Sequence, residues 1–153
     1  MGGDVSPLIA EALTQERLRE YRTNGAICLK GVIESSWLEL LSKGVERNLA
    51  HPGSQSRIYT RDRGDKPGFF FGDVARWREI DEYRRFIFHS PAAEIAAVLT
   101  GASAINIYFD GVFVRGANTP SRTPWHQDVP YWPIDGDQLC SIWIPLDYIP
   151  RAG

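Results

Sequence analysis

The segment TPWHQDVPYWP, residues 123–133, places a histidine and an aspartate two positions apart among aromatic residues and prolines. Residues two apart on a β-strand point to the same face, so His126 and Asp128 can aim at one point. An imidazole and a carboxylate supply two of the three protein ligands in the 2-His-1-carboxylate site that binds Fe(II). The spacing alone leaves another interpretation open, in which His126 stacks among Trp125, Tyr131 and Trp132, and Asp128 caps a turn.

Two β-rich runs flank this segment and would position it. Residues 104–116, AINIYFDGVFVRG, favour one continuous strand with a bulge at Gly111, although Asp110-Gly111 could instead form a two-residue hairpin turn. Residues 138–149, QLCSIWIPLDYI, form the second β-rich run, and Asp135-Gly136 precede it as a turn.

Helical signals precede these strands. Thr14 can cap a helix that ends at Asn24-Gly25, and Ser90-Pro91 can begin another that ends before Gly101. Residues 26–32, AICLKGV, are typical of a short strand.

Two further predicted helices carry apolar stripes. One begins at Ser35 or Ser36, and the other spans residues 73–88, DVARWREIDEYRRFIF. The stripe residues, which we expect to be buried against the sheet, are Trp37, Leu41, Val45 and Leu49 in one helix and Trp77, Ile80 and Ile87 in the other. With helices mainly before residue 100 and strands after it, the pattern predicts an α+β class.

Residues 51–68 are rich in glycine, proline and charge, which predicts a long loop. This loop could be a lid whose basic residues and the following phenylalanines contact an apolar, anionic substrate. The candidate substrate contacts are Phe70 and Arg61, together with Trp132 of the central segment. The alternative is that two of the three phenylalanines, Phe69–Phe71, belong to the core and that the loop charges are solvated.

Composition excludes several classes of function. The 153 residues suit a single domain, and a net charge of -2 gives no electrostatic reason to expect nucleic acid or an anionic membrane surface. No apolar run approaches the ~20 residues that cross a bilayer, and the N-terminus has no signal-peptide pattern. Cys28 and Cys140 have no paired spacing, so we expect no disulfide framework and a cytoplasmic location.

The central segment and its flanks resemble the phytanoyl-CoA dioxygenase family, whose members depend on iron(II) and 2-oxoglutarate. The similarity rests on WHQD-x-x-YWP followed by W-x-x-LD, with INIYFDGVFVRGANTPSR before them. NGAICLKGV between two helices also resembles the opening of such proteins. The resemblance implies a double-stranded β-helix, or jelly-roll, core. It also implies hydroxylation of a small organic substrate by dioxygen, with release of succinate and carbon dioxide.

The resemblance also implies roles for single residues. His126 and Asp128 would be the first two iron ligands, and Trp143 would lie near the 2-oxoglutarate. Arg115 stands where many relatives carry a lysine, so it could pair with a carboxylate of the co-substrate or substrate. The alternatives are core packing for Trp143 and an exposed strand-end charge for Arg115. Asp128 favours hydroxylation, because related halogenases lack this carboxylate.

Members of this family take a second histidine ligand from a late strand and grip 2-oxoglutarate with an arginine further on. His51 and His89 both precede the central segment, so we take neither as a ligand. We therefore expect this chain, helical over residues 1–100 and β-rich over 101–153, to be the N-terminal part of such a domain. The second histidine and the arginine would lie beyond Gly153, and the jelly roll would be incomplete.

Two other functions stay open. The chain could be a non-catalytic jelly-roll binding module, or an inactive fragment of such an enzyme. A zinc hydrolase would need a further nitrogen, sulfur or carboxylate ligand, which no motif here supplies. The sequence predicts neither the substrate nor the oligomeric state.

Overall fold

The computed structural model describes residues 5–59, 68–116, 119 and 123–149. Within these ranges the chain forms helices α1 to α5, strands β1 to β3 and one 3-10 turn. In chain order they are α1 (Pro7–Ala12), α2 (Gln15–Asn24), α3 (Ser35–Ala50), β1 (Arg57–Ile58), β2 (Phe70–Val74), α4 (Asp81–His89), α5 (Ala92–Thr100), β3 (Gly111–Arg115) and the turn Val129–Tyr131. The α+β class predicted from the sequence is therefore confirmed.

The three strands form one antiparallel sheet in the order β1-β2-β3. The register places Phe71 opposite Val114 and Gly72 opposite Phe113. Because side chains alternate along a strand, Phe71 and Asp73 share one face, which is buried, whereas Phe70 and Gly72 share the other. The sheet therefore has one face toward the interior and one that leaves Phe113 62% exposed.

Two predicted helices have the predicted ends. The Thr14 hydroxyl accepts a hydrogen bond from the Arg17 amide at 3.4 Å, and Gly25 ends α2 with a φ of 72°. Ser90 Oγ accepts a hydrogen bond from the Ala92 amide at 3.3 Å, and Gly101 follows α5 with a φ of 68°. Side-chain caps and left-handed glycines are local signals, which explains why the sequence shows them.

Three secondary-structure predictions are wrong. Residues 26–32 form no strand, and Ile27 and Leu29 instead pack against an apolar cluster. The run 104–116 is not one continuous strand, because β3 begins only at Gly111. Residues 138–149 form no strand within the described part of the chain. Apolar alternation favours strands, but a strand forms only where another strand supplies its hydrogen bonds.

The predicted helix over residues 73–88 is also corrected. Asp73 and Val74 belong to β2, and α4 begins at Asp81. Between them Ala75 adopts a φ of 58°, and its amide donates to the Asp110 carbonyl at 2.9 Å. Strand β2 was missed because its last two residues fall in the predicted helix and the others lie between that helix and the predicted loop. Together, β1 and β2 are exceptions to the prediction of a helical first hundred residues.

Two apolar clusters form the interior. The first joins α1, α2, α5 and the segment after α2, through Ile9, Leu13, Leu18, Val32 and Ile95. The second joins α3 and α4, where the buried residues Trp77, Ile80 and Tyr83 meet Leu41, Val45 and Ile87. Five of the seven predicted stripe residues therefore pack in the second cluster, where they meet each other and Tyr83 rather than the strand residues of the sheet, against which burial was predicted. Leu49, at the end of the first stripe, is an exception because it is 37% exposed.

A glycine allows α3 and α4 to approach each other. A Cβ atom on Gly44 would lie 2.5 Å from Cε1 of Tyr83, so no larger residue fits without displacing that ring. Tyr83 itself is buried. Among the helices that the structure describes, none is both long and apolar enough to cross a membrane.

Candidate metal centre

His126 and Asp128 converge in the structure. His126 Nε2 lies 3.2 Å from Asp128 Oδ1. The sequence predicted that the two residues lie on a strand, but in the structure they lie just before the 3-10 turn. The Tyr131 amide donates to the Asp128 carbonyl at 2.8 Å. Within the part of the chain that the structure describes, the two side chains thus meet without the support of a neighbouring strand.

The other ring nitrogen of His126 fixes which nitrogen carries the proton. Nδ1 lies 2.8 Å from the carbonyl oxygen of Pro124, and a carbonyl oxygen can only accept, so Nδ1 donates. In a neutral imidazole the lone pair is then on Nε2, where it faces the carboxylate of Asp128. Two lone pairs at 3.2 Å repel unless a cation lies between them or Nε2 is protonated. Either arrangement removes the repulsion, so the geometry of this donor pair is compatible with a shared metal ion.

The separation of the two donor atoms also suits a shared metal. Metal–ligand bonds of about 2.1 Å at right angles would place two donor atoms about 3.0 Å apart. The observed 3.2 Å is close to that separation. The side chains of His126 and Asp128 are 44% and 45% exposed, so other ligands can reach the point between them.

The described residues supply no third ligand. Nowhere in these ranges do three or more histidine, cysteine, aspartate or glutamate side chains form a group that could hold a metal ion. His51 caps the C-terminal end of α3, and His89 is the last residue of α4.

Arg115 connects the sheet to the segment that carries the pair. Its guanidinium donates to Thr123 Oγ1 at 3.0 Å, three residues before His126. The guanidinium carbon also lies 4.3 Å from the centroid of the Phe70 ring. The strand register explains this contact, because Phe70 is directly opposite Arg115. The structure thus brings together a predicted co-substrate residue and a predicted substrate residue.

The two predicted tryptophans differ in their environments. Trp132 is partly buried and packs edge-on against Tyr108 and Phe109, with ring centroids 6.0 and 5.8 Å apart. Trp143 is 74% exposed, so the core-packing alternative for this residue is wrong in this structure. Trp125 is fully exposed, which argues against an aromatic cage that buries His126.

The structure describes the three phenylalanines after the predicted loop but not the candidate substrate contact Arg61. Arg61, with Arg63 and Lys66, lies outside the described residues. Phe71 is buried at 3%, whereas Phe69 is 40% exposed and Phe70 is partly buried.

Sequence reasoning missed a buried polar network that holds β2 in place. The Asp73 carboxylate accepts hydrogen bonds from Asn48 Nδ2 and from the Gly53 amide, both at 2.7 Å. It also pairs with Arg76, whose Nε lies 3.4 Å away. Asn48 and Asp73 are 0% and 1% exposed. No local signal predicts this network, because its members become neighbours only when the chain folds.

Asp110 forms a second link, between the start of β3 and the turn before α4. Its carboxylate accepts from the amides of Trp77 at 3.1 Å and Arg76 at 3.3 Å. Burial raises the pKa of Asp110, the two amide hydrogen bonds oppose that rise, and the nearby Asp73 charge adds to it. The sequence offered a turn at Asp110-Gly111 only as the alternative to a continuous strand, and it did not indicate that the Asp110 side chain would bind another turn.

Comparison with known protein families identifies a match over most of the chain. The profile of the family described as Phytanoyl-CoA dioxygenase (PhyH) matches residues 21–152, a range that includes Arg115, both members of the donor pair and Trp143. No curated protein and no solved structure is significantly similar to the chain. Since the match spans most of the sequence, the chain belongs to the phytanoyl-CoA dioxygenase (PhyH) family, whose members are oxygenase-type enzymes.

Proposed function

We propose that this chain carries the metal-binding part of an iron(II)- and 2-oxoglutarate-dependent oxygenase that hydroxylates a small organic substrate. The observation that carries the proposal is the 3.2 Å approach of His126 Nε2 to Asp128 Oδ1. It occurs inside the range that matches the family. One nitrogen and one carboxylate oxygen that converge on a point open to solvent suit Fe(II).

His126 and Asp128 would hold the iron. When bound, the metal would supply activation of dioxygen, coupled to conversion of 2-oxoglutarate into succinate and carbon dioxide. The chain's own contribution is orientation. The Pro124 carbonyl keeps the proton on Nδ1 of His126, so that Nε2 offers its lone pair to the cation.

Arg115 would bind a carboxylate of 2-oxoglutarate or of the substrate. A guanidinium offers several N–H groups in one plane and pairs strongly with a carboxylate. Its stacking over Phe70 and its bond to Thr123 direct it toward the segment that carries the metal pair. Trp143, whose indole is exposed, would border the co-substrate, whereas Phe70, Trp132 and Arg61 would contact the substrate.

We further propose that the β1-β2-β3 sheet is part of a jelly-roll core within a single domain. A third metal ligand and the arginine expected from the family would complete the site. The cytoplasmic location is also a proposal, and it is supported by two cysteines that form no disulfide, Cys28 and Cys140.

A non-catalytic binding module is the second candidate. It is favoured by one observation: the described residues bring together two potential metal ligands rather than three. Such a module would keep the fold and a weak cation site but would not turn over 2-oxoglutarate.

Metal binding by the full chain tests the shared part of both candidates. Co(II), a stand-in of the same charge as Fe(II), is titrated into wild type, His126→Ala and the control His89→Ala, which removes an exposed histidine outside the pair. We expect weak binding by wild type and by the control, and loss of binding in His126→Ala. Equal binding by all three proteins would remove the metal assignment.

Turnover separates the two candidates. With Fe(II), ascorbate and 2-oxoglutarate, we expect this chain alone to release no succinate, because a third ligand is missing from its described residues. A longer family member should release succinate and should lose that activity when its counterpart of His126 is replaced by alanine. If the longer protein's turnover survives that replacement, the oxygenase role of His126 is wrong. Succinate release by this chain at the rate of the longer protein would show that a complete site is already present.

A further inference from the structure

We infer that Ser141 is a positioning residue for the metal pair, because it holds the Asp128 carboxylate with one oxygen toward His126. This inference rests on the proposed role of His126 and Asp128 as metal ligands. Ser141 Oγ donates to Asp128 Oδ2 at 3.2 Å, whereas Oδ1 is the oxygen that lies 3.2 Å from His126 Nε2. The two carboxylate oxygens therefore have different partners.

The Asp128 carboxylate needs such a partner. Rotation about the last bond of an aspartate side chain is broad and twofold, so packing or a hydrogen bond must select one orientation. The Asp128 side chain is 45% exposed, which leaves packing little control over it. The backbone of Asp128 is held separately, by the bond from the Tyr131 amide. The Ser141 hydroxyl thus acts on the side-chain torsions of Asp128, which the turn does not fix.

The hydrogen bond from Ser141 to Asp128 has a counterpart at His126. His126 is held through Nδ1 by the Pro124 carbonyl, and Asp128 is held through Oδ2 by Ser141. In each ligand the atom that does not face the pair has a partner, and the remaining atom is directed at the shared point. Outer contacts of this kind typically change metal affinity by about 10- to 100-fold when they are removed. The Pro124 contact is made by backbone, so Ser141 is the one that substitution can remove.

Ser141 could instead act only on the structure. Its contact with Asp128 joins residues 13 positions apart, so it also closes a loop. A purely structural role would change folding without changing the ligand environment of a bound metal. The spectrum of bound Co(II) reports that environment, and a threonine at position 141 would keep the hydroxyl.

The experiment compares four proteins, each the full chain: wild type, Ser141→Ala, Ser141→Thr and the control Ser103→Ala, which alters an exposed serine. Co(II) affinity is measured by equilibrium dialysis, the visible absorption of bound Co(II) is recorded, and circular dichroism checks the fold. We expect Ser141→Ala to bind Co(II) about 10-fold more weakly, with a changed absorption spectrum. Ser141→Thr and the control should match wild type.

The outcomes separate this inference from the proposed function. If wild type binds no Co(II), or if His126→Ala binds as well as wild type, the metal pair is wrong and the role of Ser141 is lost with it. If His126→Ala abolishes binding but Ser141→Ala keeps wild-type affinity and spectrum, only the Ser141 inference is overturned. Equal weakening in the alanine and threonine variants, with loss of helical signal, would also overturn it by showing a structural role.

Discussion

The guanidinium carbon of Arg115 lies 4.3 Å from the centroid of the Phe70 ring, on the exposed face of the sheet. The same guanidinium bonds Thr123, which begins the segment with His126 and Asp128. A guanidinium over an aromatic ring is attracted by the ring's negative face, which helps to hold it in place. The sheet and the metal pair are therefore joined through the residue that we propose binds a carboxylate.

Replacing Arg115 should weaken binding of 2-oxoglutarate. We expect Arg115→Ala to bind metal normally but to lose about 10-fold or more in affinity for 2-oxoglutarate, because a charge-assisted pair is lost. Arg115→Lys should retain part of the affinity. Anaerobic dialysis against labelled 2-oxoglutarate, with Mn(II) present, measures this. Arg57→Ala, an exposed arginine on β1, is the matched control, and equal effects in both variants would argue against a specific role.

Replacing Asp73 should destabilise the fold. Oδ2 of Asp73 accepts from both Asn48 Nδ2 and the Gly53 amide, and Oδ1 accepts from the Val74 amide at 3.0 Å. In Asp73→Asn the side-chain NH2 replaces one of these oxygens, so it meets a donor in either orientation. It also removes the charge that pairs with Arg76. We expect the free energy of unfolding to fall by roughly 2–4 kcal/mol, measured in urea. Asp137→Asn, at an exposed aspartate, should change it little, and a similar loss there would contradict the assignment.

The contribution of Asp110 to the free energy of unfolding should decrease as pH rises. Burial raises its pKa in the folded protein, so the folded state holds this proton more tightly than the unfolded state does. The contribution of Asp110 is therefore most favourable below the ordinary aspartate value of about 3.9, and it is lost as pH rises toward the raised folded value. Asp110→Asn cannot titrate. Urea titrations give the free energy of unfolding of wild type and of Asp110→Asn at each pH. The wild-type value minus the variant value should decrease from pH 3.5 upward and then reach a plateau. A difference that rises with pH would contradict the direction of the shift.

The cap of α2 should contribute measurably to stability. We expect Thr14→Ala to lower the free energy of unfolding by about 1 kcal/mol, because the Arg17 amide would lose its side-chain acceptor. Thermal unfolding followed by circular dichroism would detect this. Thr23→Ala, an exposed threonine within the same helix, should be close to neutral or slightly stabilising. Equal losses at both positions would mean that the cap has no special role.

Local signals gave the most accurate predictions. Thr14, Gly25 and Gly101 act on neighbours within a few residues, so their positions in the sequence are sufficient to place the ends of two helices. The pairing of His126 with Asp128 is also local, since two residues separated by one other need only a suitable backbone to converge. The W-H-Q-D pattern and the tryptophan after it likewise indicated the family, which the profile match confirms.

Contacts between distant parts of the chain decided the rest. Residues 26–32 and 104–110 have strand-like sequences, but within the described residues no neighbouring strand pairs with them. Residues 70–74 do form a strand, because β1 and β3 lie on either side of it. Whether an apolar segment becomes a strand depends on a partner that is far away in sequence, and no local pattern specifies that partner.

The candidate site shows the same division. The sequence by itself determined which residues could bind a metal, because an imidazole and a carboxylate have that chemistry wherever they lie. Only the tertiary structure decided which distant residues reach the site: Ser141 contacts Asp128 across 13 positions, and Arg115 contacts Thr123 from the end of β3. Hydrogen bonds require atoms within about 3 Å, and only folding brings such distant residues to that separation.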